Sequence, residues 1–511
     1  MKLKKSFLNV FIGIGSQIII MCLAIVIPRF VLTNYGSEVN GLFNSVSQIY
    51  SYIVLLESGV GAATLQTLYK YIDKGSKSDI SSIISSAHGF YKKISYVYIA
   101  CVFVVGFLFS VLTDSSINRV YIFLIFLLQG ISGVVNFRFI AAEKLILTVE
   151  GKNYITNGVA TITSIVTSIG KIILVNLQIN IVLLQTFYCM VTIGQLLFYY
   201  IYFKKKYGWL DLKAPPNKEA LYQKKYFMIT EISWTAFSCT PMVLLSFFCD
   251  FKIVSVYAIY NLVFSSLSTL LNTVYYGTQF VLSREYHQSK EKYILLHDSY
   301  DCCFDFLIFA SMAICYVMIL PFIKLYTAGI SDINYIDKYL PFLFCLVQLL
   351  SWIRYVSGNL VNISGHVNKV TKISIAETVI NIVVSVVLVN FIGIYGVLIG
   401  TSIALLLKSN YLIVYANKAI LQRSAFQTYK TVAVNFLLFV LVMAVASKID
   451  LYCDNYFQWL IRAICCAAVI IIVFLIGNVL ANIKLFKFIL TFAKSLITSK
   501  LKVNKKPEVT E

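Results

Sequence analysis

Apolar runs of about 20 residues recur from one end of this sequence to the other, and about 20 is the length an α-helix needs to cross a bilayer. That one feature leaves few folds open. In lipid every backbone N–H and C=O must be satisfied inside the spanning element, so only helices and closed barrels cross. The runs here are continuous rather than alternating, which excludes a transmembrane β-barrel. With 59% of its 511 residues hydrophobic, 13% charged and a mean hydropathy of +0.80, the chain is too evenly apolar for a water-soluble domain. It reads as an all-α polytopic membrane protein.

The runs place fourteen helices at roughly 7–33, 40–66, 93–112, 120–142, 154–176, 179–203, 227–249, 254–282, 303–325, 339–361, 370–391, 394–416, 430–447 and 457–481. Their orientation follows from counting Lys and Arg between spans. On the side of the N-terminus there are 33, and on the opposite side five: Arg119, Lys252, Lys324, Lys338 and Lys448. Both termini are therefore expected in the cytoplasm. The formal net charge of +20 is explained by this bias, so nucleic acid is not needed as a partner. The first run follows M-K-L-K-K, is long and lacks a small-residue cleavage site, and reads as a retained span.

The outward loops are short, the longest lying around Lys324 to Lys338. The largest inner loop, Lys204 to Lys225, carries Pro215-Pro216 and seven lysines and reads as a linker (204–226) between two halves, 1–203 and 227–416. A repeat supports that division. L-V-N at Leu174 to Asn176 recurs at Leu388 to Asn390, an offset of 214, and a similar shift carries Gly41-Leu42-Phe43 onto Val256-Tyr257-Ala258. Arg138-Phe139 maps onto Arg354-Tyr355 at an offset of 216. Six spans separate the copies, an even number, which makes two parallel six-helix lobes about an axis along the membrane normal. The helices in 417–481 fall outside the repeat. Lys484 to Lys500, in the terminal stretch 482–511, has an interfacial amphipathic pattern and precedes a solvated tail.

Ionisable residues inside spans are the main clue to a site. The positive ones are Arg29, Arg138, Lys171, Arg354, Lys408 and Arg462, and the negative ones Glu57, Glu231 and Glu377. At 1.5 Å of rise per residue, Arg354 and Lys408 lie about fifteen residues from their outer ends, and Lys171 and Glu57 about seventeen residues into theirs. Arg462 and Glu231 are close enough to an end to snorkel. Arg29 and Arg138 sit towards span ends, where snorkelling and a cavity role are both open. Glu377, about two turns from the cytoplasmic face, suits an ion pair with a neighbouring cation as well as a coupling site.

The deep set is richer in cations than anions, and a cavity lined by Arg354, Lys408 and Lys171 would favour an anion. Arg grips phosphate oxygens in a fork, and Lys acts as a point charge. Asn44, Ser47, Gln48 and Ser51 share a face of the second helix, as do Asn261, Ser265, Ser268 and Asn272 on the eighth. Such stripes line sugar sites, and they also serve as helix–helix glue. Gly396-Val-Leu-Ile-Gly400 fits the small-xxx-small packing motif. The twelve cysteines lie mostly in apolar segments without disulfide or zinc spacing. His88, His287, His297 and His366 fall in or beside inner loops without metal-ligand spacing, and no catalytic motif stands out.

The run Y-G-S-E-V-N-G-L-F (Tyr35 to Phe43), followed by L-L-E-S-G-V-G (Leu55 to Gly61) and L-Y-K (Leu68 to Lys70), resembles the first helical hairpin of bacterial polysaccharide transporters. These are the Wzx-like flippases of the multidrug/oligosaccharidyl-lipid/polysaccharide exporter superfamily. A-A-E-K (Ala141 to Lys144) with Asn153-Tyr154, and I-G-I-Y-G-V-L-I-G (Ile392 to Gly400), echo the same family. The resemblance implies a transporter of the bacterial cytoplasmic membrane and not an enzyme. Its substrate would be an undecaprenyl-pyrophosphate-linked oligosaccharide, a capsule, exopolysaccharide or O-antigen repeat unit. That unit would move from inner to outer leaflet by alternating access between two lobes, alongside a polysaccharide polymerase and other assembly proteins. Arg29 is the position carried over from the family's cationic cavity. No cofactor is implied, and Na+ and H+ are both open as coupling ions, with Glu57, Glu231 and Glu377 as candidate carboxylates. Two other readings compete. A cation-coupled multidrug exporter of the same superfamily should have a more acidic cavity. A membrane polymerase or ligase should carry a sizeable outward loop, which this chain lacks.

Overall fold

A computed structural model describes residues 2–57, 59–72, 76–217, 224–288, 290–449 and 451–488. They form fifteen α-helices: α1 Lys2–Val54, α2 Val60–Ile72, α3 Lys77–Leu112, α4 Arg119–Phe139, α5 Ala141–Val149, α6 Asn153–Asn176, α7 Ile181–Lys206 and α8 Lys224–Phe248. The series continues with α9 Phe251–Gln288, α10 Lys290–Tyr326, α11 Leu340–Trp352, α12 Tyr355–Ile363, α13 Val367–Tyr415, α14 Phe426–Ala446 and α15 Tyr456–Ala481. Eleven described stretches are long and apolar enough to cross a membrane, and Ile232–Phe248 is a shorter apolar helix. Two of the eleven hold two legs each, because α1 breaks at Gly36 and α13 at Ile392 and Gly393. Counted by legs, the described residues supply the fourteen spans that the apolar runs predict. The chain is a multi-pass membrane protein.

Several helix boundaries differ from the expected ones. The second helix ends at Val54 rather than 66, followed by a 3-10 turn at Leu55–Glu57 and, after Gly59 at φ +80°, by the separate helix α2. Glu57 therefore sits at a break, not deep inside a span. Helix α3 begins at Lys77 instead of 93, with Ser76 as N-cap accepting from the Asp79 N–H at 3.3 Å. Likewise α10 begins at Lys290 instead of 303. Hydropathy finds the part of a helix that lies in lipid, and these helices run on through polar sequence. The short helix α5 and the interruption of the tenth span at Ile353 and Arg354 were not foreseen. Most of the terminal amphipathic stretch lies outside the described residues.

Packing groups the chain into two units. The first comprises Met1–Leu262, Thr327–Asn334 and Asn381–Val397, and the second Val263–Tyr326, Tyr335–Ile380 and Leu398–Glu511. This partition differs from the lobes read from the repeat, because α8 packs against α1: the Tyr52 hydroxyl donates to the Ala236 carbonyl at 3.0 Å and meets the Thr240 hydroxyl at 2.7 Å.

The core of the first unit gathers Leu42, Val46, Tyr50, Ile83, Ile84, Phe109, Ile122, Phe126 and Leu147. Tyr50 packs its ring 4.8 Å from that of Phe126 and donates its hydroxyl to the Phe126 carbonyl at 2.6 Å. The first hairpin is held by two details. Gly36, at φ +82°, makes the turn between the legs of α1, a backbone conformation that side chains disfavour. After it, Asp332 accepts from the Ser37 N–H at 2.8 Å and the Ser37 hydroxyl at 2.6 Å, capping the second leg. In that leg a Cβ on Gly41 would lie 1.7 Å from the Phe251 carbonyl oxygen, so only glycine lets α9 start there. Gly396 is similarly pressed against Leu388, where an added Cβ would lie 2.4 Å from the carbonyl carbon, as the packing motif anticipates. The second unit has a core around Leu282, Tyr293, Leu360, Val361 and Ala416.

Candidate substrate cavity

The two legs of α1, with α4, α6 and α7, enclose a cavity of about 190 Å³ in the first unit. Its polar lining is Asn40, Asn44, Ser47, Gln129, Lys171, Gln185 and Tyr188, and its apolar side includes Pro28, Phe43 and Leu184. Lys171 is the only charged side chain among these lining residues. Its ammonium lies 5.3 Å from the centroid of Tyr188 and 5.9 Å from that of Phe43, within cation–π range. Among the described residues no carboxylate comes within ion-pair distance of it. Aromatic faces replace only part of the hydration that an ammonium loses in apolar surroundings. The site therefore gains most from a guest carrying negative charge. Gln185 donates to Gln129, and Asn44 donates to the Asn40 carbonyl at 2.8 Å, which leaves further amide and hydroxyl groups along the wall.

In the second unit Arg354, Glu377 and Lys408 form one cluster. Arg354 follows the end of α11, and its guanidinium contacts one carboxylate oxygen of Glu377 while the Lys408 ammonium contacts the other. Arg354 and Glu377 are 6% and 4% exposed. Two cations expected to face a substrate are thus bound by a shared carboxylate, and the cluster carries one net positive charge rather than two. This is the ion pair that the position of Glu377 allowed.

The other sequence candidates are dispersed. Arg29 donates to the Ala328 carbonyl at 3.2 Å. Arg138, in the last turn of α4, lies 5.9 Å from the rings of Tyr96 and Phe139, both more than half exposed, the surroundings of a snorkelling side chain. Glu57 acts electrostatically on Tyr91, Tyr98 and Lys144. Burial pushes Lys144, on α5, below the usual lysine range, and Glu57 opposes that shift. Glu231 lies on α8, with its side chain outside the described residues. Asn44 lines the cavity and Gln48 does not. Asn261 and Asn272 on α9 are half-buried and belong to different units.

Asn40, Gln129, Gln185 and Tyr188 were missed as lining residues. Asn40 precedes Asn44 by one helical turn and extends the same stripe, whereas the two glutamines carry no periodic signal. His297, expected in or beside a loop, is fully buried in α10. Among the described residues no cluster of three His, Cys, Asp or Glu side chains could hold a metal ion.

No protein-family model matches the sequence, and none of the curated proteins does. Solved structures do match the fold. Lipid II flippase MurJ, in an inward closed conformation, is similar at a TM-score of 0.67 and 14% identity, over 93% of this chain and 100% of that one. An inward-facing multidrug resistance MATE family transporter of the MOP superfamily is similar at 0.63 and 14% identity, over 79% of this chain and 95% of that one. A MOP superfamily transporter from Pyrococcus furiosus, described by the reverse polarity of its binding pocket, is similar at 0.53 and 13% identity, over 82% and 94%. The fold is that of the MOP superfamily transporters.

Proposed function

We propose that the protein is a flippase for an anionic, lipid-linked oligosaccharide of the undecaprenyl-pyrophosphate class, moving it across the bacterial cytoplasmic membrane by alternating access. The observation that carries this reading is Lys171, a cation that, among the described residues, has no carboxylate partner, in a cavity whose other polar groups are amides and hydroxyls and whose remaining wall is apolar. A volume of about 190 Å³ is below the roughly 300–1,000 Å³ of pockets for drug-sized ligands. It suits a phosphorylated head group and not an oligosaccharide, so Lys171 would engage the pyrophosphate and leave the sugars outside. The resemblance of the first hairpin to polysaccharide transporters, and the fold shared with a lipid II flippase, support the same reading.

Lys171→Ala is expected to abolish surface polysaccharide in the bacterium that carries the protein, at an unchanged membrane level of the protein, with partial rescue by Lys171→Arg. Normal polysaccharide from the alanine variant at normal protein level would overturn the reading. A second reading, a cation-coupled multidrug exporter, is favoured by the fold shared with a multidrug resistance MATE family transporter. It predicts that Lys171→Ala leaves surface polysaccharide unchanged and keeps or improves resistance to a cationic drug, which an ammonium repels.

A further inference from the structure

Helix α10 carries His297, Asp301 and Asp305 at intervals of four residues, one stripe of a helical face. The three are 0%, 2% and 1% exposed. Both ring nitrogens of His297, Oδ1 of Asp301 and both carboxylate oxygens of Asp305 are buried with no hydrogen-bond partner. Starting at the Lys290 end of the helix, the column climbs by about 6 Å per member into its apolar part.

The surroundings have been claimed by other groups. Arg423, the cation that reaches this column among the described residues, holds Asp298 through both guanidinium nitrogens and donates to Asn417 at 3.0 Å. Asp298 lies 3.6 Å from His297 Nδ1. From the other packed elements come the Thr428 hydroxyl towards Asp301, and Asn478 and Asn482 at 3.8 and 3.7 Å from the Cys302 sulfur. The Tyr293 ring lies 5.8 Å from that of His297. Two neighbouring carboxylates in such a place cannot both stay ionised, because among the described residues no cation pairs with Asp301 or Asp305 and both Asp305 oxygens lack a hydrogen-bond donor. A metal ion would need more converging ligands than the described residues supply.

We propose that His297, Asp301 and Asp305 form a proton-binding column in which one of the two buried carboxyl groups stays protonated. Chains of Asp, Glu and His inside membrane helices serve this purpose in pumps and transporters. Proton binding stands apart from the flippase reading; only its use to drive the cycle rests on that reading.

Infrared spectra of the purified full-length protein test the column. The wild type is expected to have the carbonyl band of an un-ionised buried carboxyl group at neutral pH, shifted in D2O, fading at alkaline pH and absent from Asp301→Asn/Asp305→Asn. The melting temperature of the wild type should fall as pH rises, because the unfolded chain gives up the proton that the folded one keeps. A wild type without the band, or a double variant that retains it, would contradict the proposal. A band that responds to sodium at fixed pH would replace the proton by a metal ion. If the double variant does not fold, the wild-type band and its pH response decide. Normal polysaccharide export by a folded double variant would remove the coupling role while leaving the flippase reading in place.

Discussion

Glu377 holds two cations, and that asymmetry makes its replacement costlier than that of either partner. Removing Lys408 leaves the Arg354–Glu377 pair balanced, whereas removing the carboxylate leaves two buried positive charges side by side. Breaking a buried pair so that a charge stands alone costs about 3–5 kcal/mol. Glu377→Gln is therefore expected to lower the melting temperature of the purified protein well below that of Lys408→Met. Equal melting temperatures would mean that the cluster is solvated rather than electrostatically closed. Lys171 is the contrasting case, a cation beside rings and amides with no acid, which is why it and not Arg354 is assigned to the substrate.

At the scale of elements, two glycines in helices make a controlled comparison. A methyl group at Gly41 would strike the Phe251 carbonyl, while one at Gly89 meets nothing within 4 Å. Gly89→Ala should keep or raise stability, by up to about 1 kcal/mol from helix propensity. Gly41→Ala should lose most of the folded yield, because backbone cannot give way as a flexible side chain can. Yields of detergent-stable monomer from the two variants check this, and equal yields would mean that α1 and α9 do not approach as described. The spans themselves were legible in hydropathy. The polar extensions of α3 and α10 were not, since polar sequence such as D-S-Y-D-C-C-F-D (Asp298 to Asp305) reads as loop until neighbouring helices bury it. Ile353 and Arg354 interrupt a span without proline or glycine, so no local signal marked that break.

For the whole molecule, the length and continuity of the apolar runs were enough to reach the all-helical fold, because a bilayer imposes length and satisfied backbone on every span. Pairing was another matter. Arg354, Glu377 and Lys408 are separated by 23 and 31 residues, and depth along a helix says nothing about which way a side chain turns. Depth along the span singled out Lys171, which lines the cavity, but its neighbours Gln129, Gln185 and Tyr188 come from other helices and were visible only in the fold. The most direct test of a cationic head-group site is a binding titration of the purified protein with undecaprenyl pyrophosphate, with undecaprenol as the uncharged control. Loss of a charge-assisted contact of about 1.5–3 kcal/mol corresponds to roughly ten- to hundred-fold weaker binding. The wild type should prefer the pyrophosphate, and Lys171→Ala should lose that preference by this factor. Equal affinity of wild type and variant for the pyrophosphate would contradict the assignment of Lys171 to the substrate.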